Sequence, residues 1–391
     1  MKDVVIVGAT RTPIGTFGGS LRDVKAIELS QFIIESVIKR TGIEKNLVDQ
    51  VILGNCFEPI DHNIARIGLV KAGLPVETTA FHIVATCGSG MQAIMSGVQS
   101  IRDNNADCVI AGGAESMSTA PYLLPTARWG FRLQHHLAVD MIWRSMQEHP
   151  IGGGMGLTAE NLAEQYNIPR EEQDAFALRS QQNAGRAIRE GRFKDEISPV
   201  PIPQRKGEPK MYDTDEHPKP DMTMEKLAAL PPAFKKGGTV TAGNACGIND
   251  AAAAVILMTT EKARELGLRP MARIVSYAVA GVDPAYMGIG PVPATRKALK
   301  RANLNLDDIE LIEINEAFAA QYLACERDMG WNRDIVNVNG SGISLGHPVG
   351  CTGARLVVTL LYEMEKRGLH RGLATLCAGG GQGFSTIIER S

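Results

Sequence analysis

The sequence IEKNLVDQVILGN at residues 43–55 returns in altered form as LNLDDIELIEIN at residues 304–315. Each stretch runs from a polar segment into a short apolar run and ends at an asparagine, Asn55 in the first and Asn315 in the second. A short run rich in valine, isoleucine and leucine that follows a polar turn is typical of a buried strand. The repeat therefore predicts a chain built from two related halves.

Short apolar runs and helical periods alternate on both sides of this repeat, which predicts parallel sheets covered by helices. The predicted strands are VVIVG (4–8), QVILG (50–54), FHIVA (81–85) and CVIAG (108–112) in the first half, and ARIVSYAV (272–279), ELIEI (310–314), DIVNVN (334–339) and LATLCAG (373–379) in the second. Helices are predicted near 26–40, 88–102, 293–301, 316–329 and 350–367.

The spacing that joins the two asparagines also places Cys87 at the position of His347. Each of these residues lies in a glycine-rich stretch just ahead of a predicted helix. With a small insertion, AGGAES (111–116) also aligns with AGGGQG (378–383). The two halves are thus predicted to bring special residues to corresponding places.

Cys87 is predicted to be a nucleophile. A helix N-terminus offers partial positive charge and free N–H groups, which lower the pKa of a cysteine there into roughly the 3.5 to 7.5 range. The alternative is a small buried cysteine with a packing role. His347 is the corresponding candidate base, because a thiol nucleophile needs an imidazole nearby, although a single histidine is usually an ordinary residue.

Two further candidates follow strands. Asn315 could present its amide to a substrate oxygen or hold a water molecule, or it could simply cap a helix. The glycines at 379–381, directly after Cys377, could expose N–H groups as an oxyanion hole.

Composition excludes several classes of function. The 391 residues carry a net charge of −2, which argues against nucleic acid as a partner. The start of the chain lacks the features of a signal peptide, and no run of about eighteen apolar residues predicts a membrane span. Seven scattered cysteines without CxxC pairs indicate free thiols in a reducing compartment such as the cytoplasm, and they make zinc improbable. VVIVGATRTPIG lacks the GxGxxG pattern of a dinucleotide turn.

Residues 119–265 differ in character, with clusters of proline, glycine and charge such as PIPQRKGEPKMYDTDEHPKP. They predict a loop domain that is inserted within the first half and that serves either as a surface elaboration or as a substrate-recognition lid. The predicted organisation is a first part of the N-terminal half at 1–118, the inserted domain at 119–250, a return to the N-terminal half at 251–270 and the C-terminal half at 271–391.

Taken together, the motifs resemble the thiolase family, and within it the acetyl-CoA acetyltransferases, over essentially the whole chain. The stretches that carry the resemblance are RTPIGTFGGSL, CGSGMQAI, GGAESMS, GMGLTAENLAE, GTVTAGNACGINDAAAAV, MGIGPVPATRKAL, EINEAFAAQ, NGSGISLGHPVGCTGAR and CAGGGQGFSTIIE. The resemblance implies two duplicated βαβαβαββ halves packed in five layers with an inserted loop domain. It also implies a homodimer or homotetramer that uses no metal or redox cofactor.

The resemblance also implies roles. Cys87 would take an acyl group from acyl-CoA as a thioester, His347 would accept its proton, and Cys377 would transfer the proton of a second acetyl-CoA. The N–H groups of Cys87 and Gly379 would face the acyl oxygen, and His347 with a water held by Asn315 would face the enolate oxygen. Coenzyme A would be bound by Met155, Lys219, Phe234, Ala242, Cys246, Met287 and Phe318, with the two methionines at the acyl end.

The sequence departs from the family pattern at three points. Cys246 stands where many relatives have serine, which makes it a poorer hydrogen-bond partner for the pantetheine arm. Gly154 replaces a frequent histidine, which suggests a wider pocket. Lys219 replaces a frequent arginine and offers a point charge instead of a fork.

The function implied is that of an acyl-CoA C-acetyltransferase that makes or cleaves acetoacetyl-CoA, with acetyl-CoA, acetoacetyl-CoA and coenzyme A as its small-molecule partners. Three alternatives remain at this point. They are a 3-ketoacyl-CoA thiolase of broader chain length, a decarboxylating ketoacyl synthase, and a non-catalytic acyl-CoA or lipid-binding homologue.

Overall fold

The computed structural model describes residues 2–390 as a mixed α/β structure. Its strands are β1 (Val4–Arg11), β2 (Gly15–Thr16), β3 (Gln50–Gly54), β4 (Thr79–Ile83), β5 (Cys108–Ser116), β6 (Tyr122–Leu123), β7 (Val139–Asp140), β8 (Val200–Ile202), β9 (Lys210–Tyr212), β10 (Asn249–Thr259), β11 (Ala272–Gly281), β12 (Leu311–Ile314), β13 (Arg371–Ala378) and β14 (Gln382–Glu389). Its α-helices are α1 (Ala26–Thr41), α2 (Ile64–Lys71), α3 (Ser89–Arg102), α4 (Met141–Gln147), α5 (Met155–Gln165), α6 (Arg170–Arg189), α7 (Met224–Ala228), α8 (Thr260–Glu265), α9 (Pro291–Ala302), α10 (Ala319–Met329), α11 (Gly342–Leu345) and α12 (Val349–Arg367). Short 3₁₀ turns lie at Lys45–Leu47, Met117–Thr119, Ala127–Trp129, Pro284–Ile289, Leu306–Asp308 and Arg333–Ile335. None of these helices has the length and apolar character needed to cross a bilayer.

The two halves share an order of four strands, to which the first half adds β4 at its edge. In the first half the order is β4-β3-β5-β10-β1, with β3 parallel to β4 and β5, and with β10 antiparallel to β5 and β1. In the second half the order is β12-β13-β14-β11, with β12 parallel to β13, and with β14 antiparallel to β13 and β11. Strands β1 and β11 join the halves through one short antiparallel contact.

Helices α3 and α12 lie between the two halves of the sheet and contact each other. Apolar residues of both helices form one core with β-strand residues from each half, as Met91 and Leu356 do with Ile52 and Leu376. Helices α1 and α2 cover the outer face of the first half, and α9 and α10 cover that of the second. The result is five layers with α3 and α12 in the middle, and both of these helices begin at the site described below.

Most predicted elements are present, but the predicted strand 334–339 is not formed. Val336 makes a single parallel bridge to Ile312 and follows a 3₁₀ turn. Asn337 has a left-handed backbone with φ of 47°, and its side chain bonds the backbone N–H and C=O of Ile314 at 2.8 and 3.0 Å. The side-chain amide therefore takes the place of a strand ladder.

Candidate active site

Cys87 lies in a tight turn, residues 85–89, between β4 and α3. Ser89 fixes this turn, because its Oγ accepts the N–H of Ala85 at 2.8 Å and donates to the carbonyl of Thr86 at 2.6 Å. Thr86 has a φ of 48°, which is uncommon for a residue other than glycine. A Cβ on Gly88 would meet the ring of Phe384 at 2.2 Å, so this position requires glycine. The turn thus presents Cys87, half-buried, at the N-terminus of α3.

Burial dominates the electrostatics of Cys87 and raises its pKa to about 11. The N–H groups of Gly379 and of Cys87 itself act in the opposite direction, and nearby Glu115 adds to the rise in pKa. The prediction that the helix N-terminus lowers the pKa of Cys87 below its usual value is therefore wrong for the free protein, since desolvation outweighs the N–H groups. Cys87 is therefore a neutral thiol at pH 7, and it would need a base to act as a nucleophile.

His347 is a candidate for such a base. The backbone N–H of His347 donates to Oδ1 of Asn249 at 2.9 Å. The ring Nδ1 of His347 lies 2.6 Å from Oγ1 of Thr352. Because the Thr352 hydroxyl donates to the carbonyl of Pro348 at 2.9 Å, the Thr352 oxygen accepts the proton on Nδ1. The lone pair then lies on Nε2, which is buried and has no partner within residues 2–390. Burial, with the positive charge of Arg355, lowers the pKa of His347 to about 3, so the imidazole is neutral.

Asn315 brings a second set of unsatisfied polar atoms. It follows β12, its N–H donates to the carbonyl of Thr375 at 3.1 Å, and both atoms of its buried amide lack a partner among the described residues. A Cβ on Gly342 would lie 2.5 Å from Oδ1, so glycine is required beside this amide. The interpretation of Asn315 as a helix cap is wrong, because α10 begins at Ala319 and Phe318 precedes it. An unpaired buried amide costs about 1–3 kcal/mol, which is typical of a group kept for a ligand.

Cys377 lies near the end of β13 and is buried. Burial raises its pKa well above the usual value, and the neighbouring thiol of Cys87 adds to the effect. The loop that follows reaches the turn of Cys87, since the carbonyl of Gly379 accepts the hydroxyl of Thr86 at 3.1 Å. Gly380 and Gly381 have φ values of 87° and 85°, which permit this close approach.

An apolar cluster surrounds Cys377 and includes four of the residues expected to bind coenzyme A. Met287 and Phe318 are buried in it, and Met155 and Phe234 pack against it. The rings of Phe234 and Phe318 meet edge to face at 5.9 Å. A Cβ on Gly379 would lie 3.1 Å from the sulfur of Met155, so this methionine covers the glycine loop.

The other three expected contacts are not members of this cluster, although Cys246 lies near both Cys87 and Cys377. Cys246 is closest to it, because its N–H donates to the carbonyl of Ala317 at 3.0 Å beside Phe318. Lys219 and Ala242 are exposed, and the backbone N–H of Lys219 donates to Oε1 of Gln181 at 2.7 Å. Lys219 and Ala242 are therefore surface residues outside the apolar cluster around Cys377.

Gly154 does not widen the pocket on the side that its missing side chain would face. A Cβ there would lie 2.9 Å from the carbonyl oxygen of Gln147, the last residue of α4. The end of α4 therefore fills the space that a side chain would occupy, which contradicts the expectation of a wider pocket at this point.

Sequence reasoning missed Glu115 as a counterpart of Cys377. The register pairs Gly54 with Gly113 in the first half and Ile314 with Thr375 in the second. Glu115, two residues after Gly113, therefore corresponds to Cys377, two residues after Thr375. The alignment of AGGAES with AGGGQG is wrong, because small residues match in several registers while the ladder permits one.

Comparison with known proteins agrees with this geometry. The model of the thiolase N-terminal domain matches residues 4–261, and that of the thiolase C-terminal domain matches residues 268–390. The chain belongs to the thiolase family. The acetyl-CoA acetyltransferase of Syntrophomonas wolfei is 54% identical over 99% of both chains, and that of Pseudomonas aeruginosa is 53% identical over 100% of both.

Solved thiolase structures confirm the predicted fold. The Bacillus anthracis acetyl-CoA acetyltransferase has a TM-score of 0.97 and 52% identity, and covers 100% of this chain and 99% of its own. Human mitochondrial 3-ketoacyl-CoA thiolase has a TM-score of 0.96 and 43% identity over the same shares of the two chains. The human enzyme has also been solved in complex with CoA.

Proposed function

We propose that this thiolase is an acetyl-CoA C-acetyltransferase that makes or cleaves acetoacetyl-CoA through a thioester on Cys87. The observation that carries the proposal is the combination of two neighbouring thiols, Cys87 and Cys377, an unpartnered imidazole nitrogen on His347 and an unpartnered amide on Asn315 among the described residues. Claisen chemistry on thioesters needs a nucleophile, a second acid/base group and sites for two oxyanions. The names of the full-length relatives support the same activity.

In the first half-reaction, the sulfur of Cys87 attacks the carbonyl carbon of acetyl-CoA while Nε2 of His347 takes the thiol proton. The N–H groups of Cys87 and Gly379, which favour the charged form of the Cys87 thiol, stabilise the oxyanion. The bond to the sulfur of coenzyme A then breaks, and Cys377 gives its proton to the leaving thiolate. This step leaves acetyl-Cys87, a Cys377 thiolate and an imidazolium on His347.

In the second half-reaction, the Cys377 thiolate removes a proton from the methyl group of another acetyl-CoA. Burial makes this thiolate a strong base, because it raises the pKa of Cys377. His347 and a water held by Asn315 stabilise the enolate oxygen, and the carbanion attacks the acetyl group on Cys87. Acetoacetyl-CoA leaves as Cys87 recovers its proton from His347, which returns every group to its starting state.

We also propose that coenzyme A thioesters are the substrates and that no metal or redox group takes part. Within residues 2–390, no cluster of three or more histidine, cysteine or acidic side chains is arranged to hold a metal ion. The cluster of Met155, Phe234, Met287 and Phe318 supplies an apolar wall for the acyl end and the pantetheine arm. Cys246, Ala242 and Lys219 are proposed to contact coenzyme A nearer the surface.

A 3-ketoacyl-CoA thiolase of broader chain length is the second candidate, favoured by the close structural match to the human mitochondrial enzyme. The methionines around Cys377 and the end of α4 beside Gly154 narrow the acyl end and favour short chains. Steady-state rates of thiolysis on 3-ketoacyl-CoAs of increasing length decide between them. A kcat/KM that rises with chain length would exclude the short-chain assignment.

Mass spectrometry of the intact protein after brief incubation with acetyl-CoA tests the proposal. We expect an acetyl adduct that hydroxylamine removes and that maps to Cys87, with Cys87→Ala as the unlabelled control. Coenzyme A binding without an adduct would instead identify a non-catalytic acyl-CoA-binding homologue. A malonyl-CoA-dependent condensation with loss of CO₂ would identify a decarboxylating synthase.

We also propose that the protein forms a homo-oligomer in which β4 pairs with the same strand of a second copy. Strand β4 is at the edge of the sheet, and Phe81 is 40% exposed and Val84 is 65% exposed on and beside it. An exposed edge with apolar side chains is a template for pairing with another chain. Light scattering on the wild type and on Phe81→Lys tests this, with a dimer or tetramer expected for the first and dissociation for the second.

A further inference from the structure

Four N–H groups converge on the buried carboxylate of Glu115. Its Oε1 accepts the side-chain amide of Asn55 at 2.8 Å and the N–H of Phe57 at 3.1 Å. Its Oε2 accepts the N–H of Cys56 at 2.9 Å and that of Gly350 at 2.8 Å. Each oxygen thus accepts two donors, an arrangement that an ionised carboxylate satisfies in full and that an amide or a protonated acid does not.

These donors come from the two segments that support the reacting groups. Cys56 follows β3 and touches the turn of Cys87, since its sulfur lies 3.3 Å from both the carbonyl of Thr86 and Oγ of Ser89. Gly350 is in the first turn of α12, three residues after His347. Glu115 therefore bonds one segment that touches the nucleophile's turn and another that carries the base.

The exit of β3 and the start of α12 pack so closely that neither Gly54 nor Gly350 has room for a side chain. A Cβ on Gly350 would lie 2.7 Å from both Cα of Asn55 and Oε2 of Glu115. A Cβ on Gly54 would lie 2.6 Å from the carbonyl oxygen of Gly350. A small displacement of the carboxylate would consequently shift the exit loop of β3, residues 55–57, against the start of α12.

We propose that Glu115 is a positioning residue that sets the placement of Cys87 relative to His347 by clamping the exit loop of β3 to the first turn of α12. The inference rests on the proposed function, because it assigns Glu115 a part in acetyl transfer to Cys87. Glu115 does not touch the substrate. It acts through Cys56 on one side and Gly350 on the other.

The charge of Glu115 is a second way to observe this role. Burial raises the pKa of Glu115 to about 7, while the N–H donors of Gly350, Phe57 and Cys56 favour the ionised form. The other titratable groups that face it are Asp250, Cys56, Cys87 and Cys351. A negative Glu115 raises the pKa of Cys87. Removing the charge should therefore increase the thiolate fraction of Cys87 even as it disturbs its position.

Two variants separate position from charge. Glu115→Asp keeps the charge but withdraws the carboxylate, and Glu115→Gln keeps the length but removes the charge and one acceptor. For each folded variant we measure the single-turnover rate of acetyl transfer from acetyl-CoA to Cys87, the Kd of coenzyme A, and the rate of alkylation of Cys87 by iodoacetamide at pH 8.

We expect both variants to slow acetyl transfer per folded site by about tenfold to hundredfold, as small misplacements of reacting groups do, with the Kd of coenzyme A unchanged. Alkylation of Cys87 should be faster in Glu115→Gln and unchanged in Glu115→Asp. If Glu115→Gln does not fold, Glu115→Asp alone decides, because a wild-type rate of acetyl transfer in that variant overturns the proposal.

Glu363→Gln is the matched control. Glu363 is a buried carboxylate at the far end of α12 that accepts donors from Arg192, Asn339 and Arg367. We expect Glu363→Gln to lower the melting temperature but to leave acetyl transfer per folded site unchanged. The same outcome in both Glu115 variants would show that Glu115 serves stability alone. Absence of an acetyl adduct on the wild type would instead reject the proposed function.

Discussion

The two halves of the molecule place three residues at corresponding positions and use them differently. The positions are held by Asn55, Cys87 and Glu115 in the first half and by Asn315, His347 and Cys377 in the second. Asn55 is fully engaged, with its amide donating to the carbonyl of Ala114 and to Glu115, both at 2.8 Å. Asn315 has no partner for either amide atom among the described residues. The amide of Asn55 is thus used within the fold, whereas the amide of Asn315 is left free for a ligand.

The connection after the third position differs even more. In the first half, residues 117–248 separate β5 from β10, whereas residues 379–381 alone separate β13 from β14 in the second. The long connection brings Cys246 beside Phe318, and the short one brings Gly379 to Cys87. The long connection therefore carries the proposed substrate contacts, and the short one carries the proposed oxyanion donor.

The largest effect is expected where the halves differ most in chemistry, at Cys87 and His347. Cys87→Ala removes the nucleophile and should lower kcat by roughly 10⁴- to 10⁶-fold, whereas His347→Ala should lower it by about 10²- to 10⁴-fold. Intact-protein mass spectrometry should find no acetyl adduct on the first variant and a slowly formed one on the second. An adduct of equal yield on Cys87→Ala would place the nucleophile elsewhere.

Cys377→Ser tests whether Cys377 transfers protons, the role that separates it from its counterpart Glu115. Serine is a far weaker acid than a thiol, so proton transfer should fail and condensation should slow by about 10²- to 10⁴-fold. Acetyl loading of Cys87 should remain measurable by mass spectrometry after incubation with acetyl-CoA. Loss of acetyl loading in this variant would show that the roles of the two thiols are reversed.

The two asparagines give a direct comparison of matched substitutions. Asn315→Ala should lower kcat by about 10²-fold, equivalent to about 3 kcal/mol, and should change the free energy of unfolding little, because the amide has no protein partner. Asn55→Ala should lower the free energy of unfolding by about 2 kcal/mol or more, because it leaves buried groups unpaired. Urea unfolding and steady-state rates measure both quantities. Equal losses of stability in Asn315→Ala and Asn55→Ala would contradict the assignment of Asn55 to the fold and of Asn315 to the reaction.

Alkylation kinetics test the electrostatics of the two helix starts. The pKa of Cys87 is raised to about 11 and that of His347 is lowered to about 3, so no thiolate–imidazolium pair exists at pH 7. The rate of Cys87 alkylation by iodoacetamide should therefore rise about tenfold per pH unit from pH 7 to pH 10, following the thiolate fraction. A plateau that begins below pH 7.5 would reveal a preformed ion pair and contradict the pKa directions.

The sequence predicted the duplication, the pairing of Cys87 with His347 and most strands, because hydrophobic periods and glycine turns are local signals. It did not predict the hydrogen bond between Asn55 and Glu115, because the register that places these two residues together is set by strand pairing across the sheet. The alanine-rich strand β10 was likewise not identified as a strand from its composition, because alanine favours helices and only burial between β1 and β5 makes it a strand. The sign of the pKa shift on Cys87 was wrong because the extent of desolvation depends on the whole fold.

The smallest expected effect concerns the long connection of the first half. Cys246→Ser replaces a weak hydrogen-bonding group with a hydroxyl at a position that lies beside Phe318 and is only half-buried. If Cys246 contacts the pantetheine arm, the hydroxyl should lower the KM for coenzyme A in thiolysis by about two- to tenfold, the worth of one added hydrogen bond. Cys108→Ser, at the start of β5 and away from the thiols, should leave KM unchanged and serves as the matched control. An unchanged KM in both variants would limit the substrate contacts of the long connection to its apolar cluster.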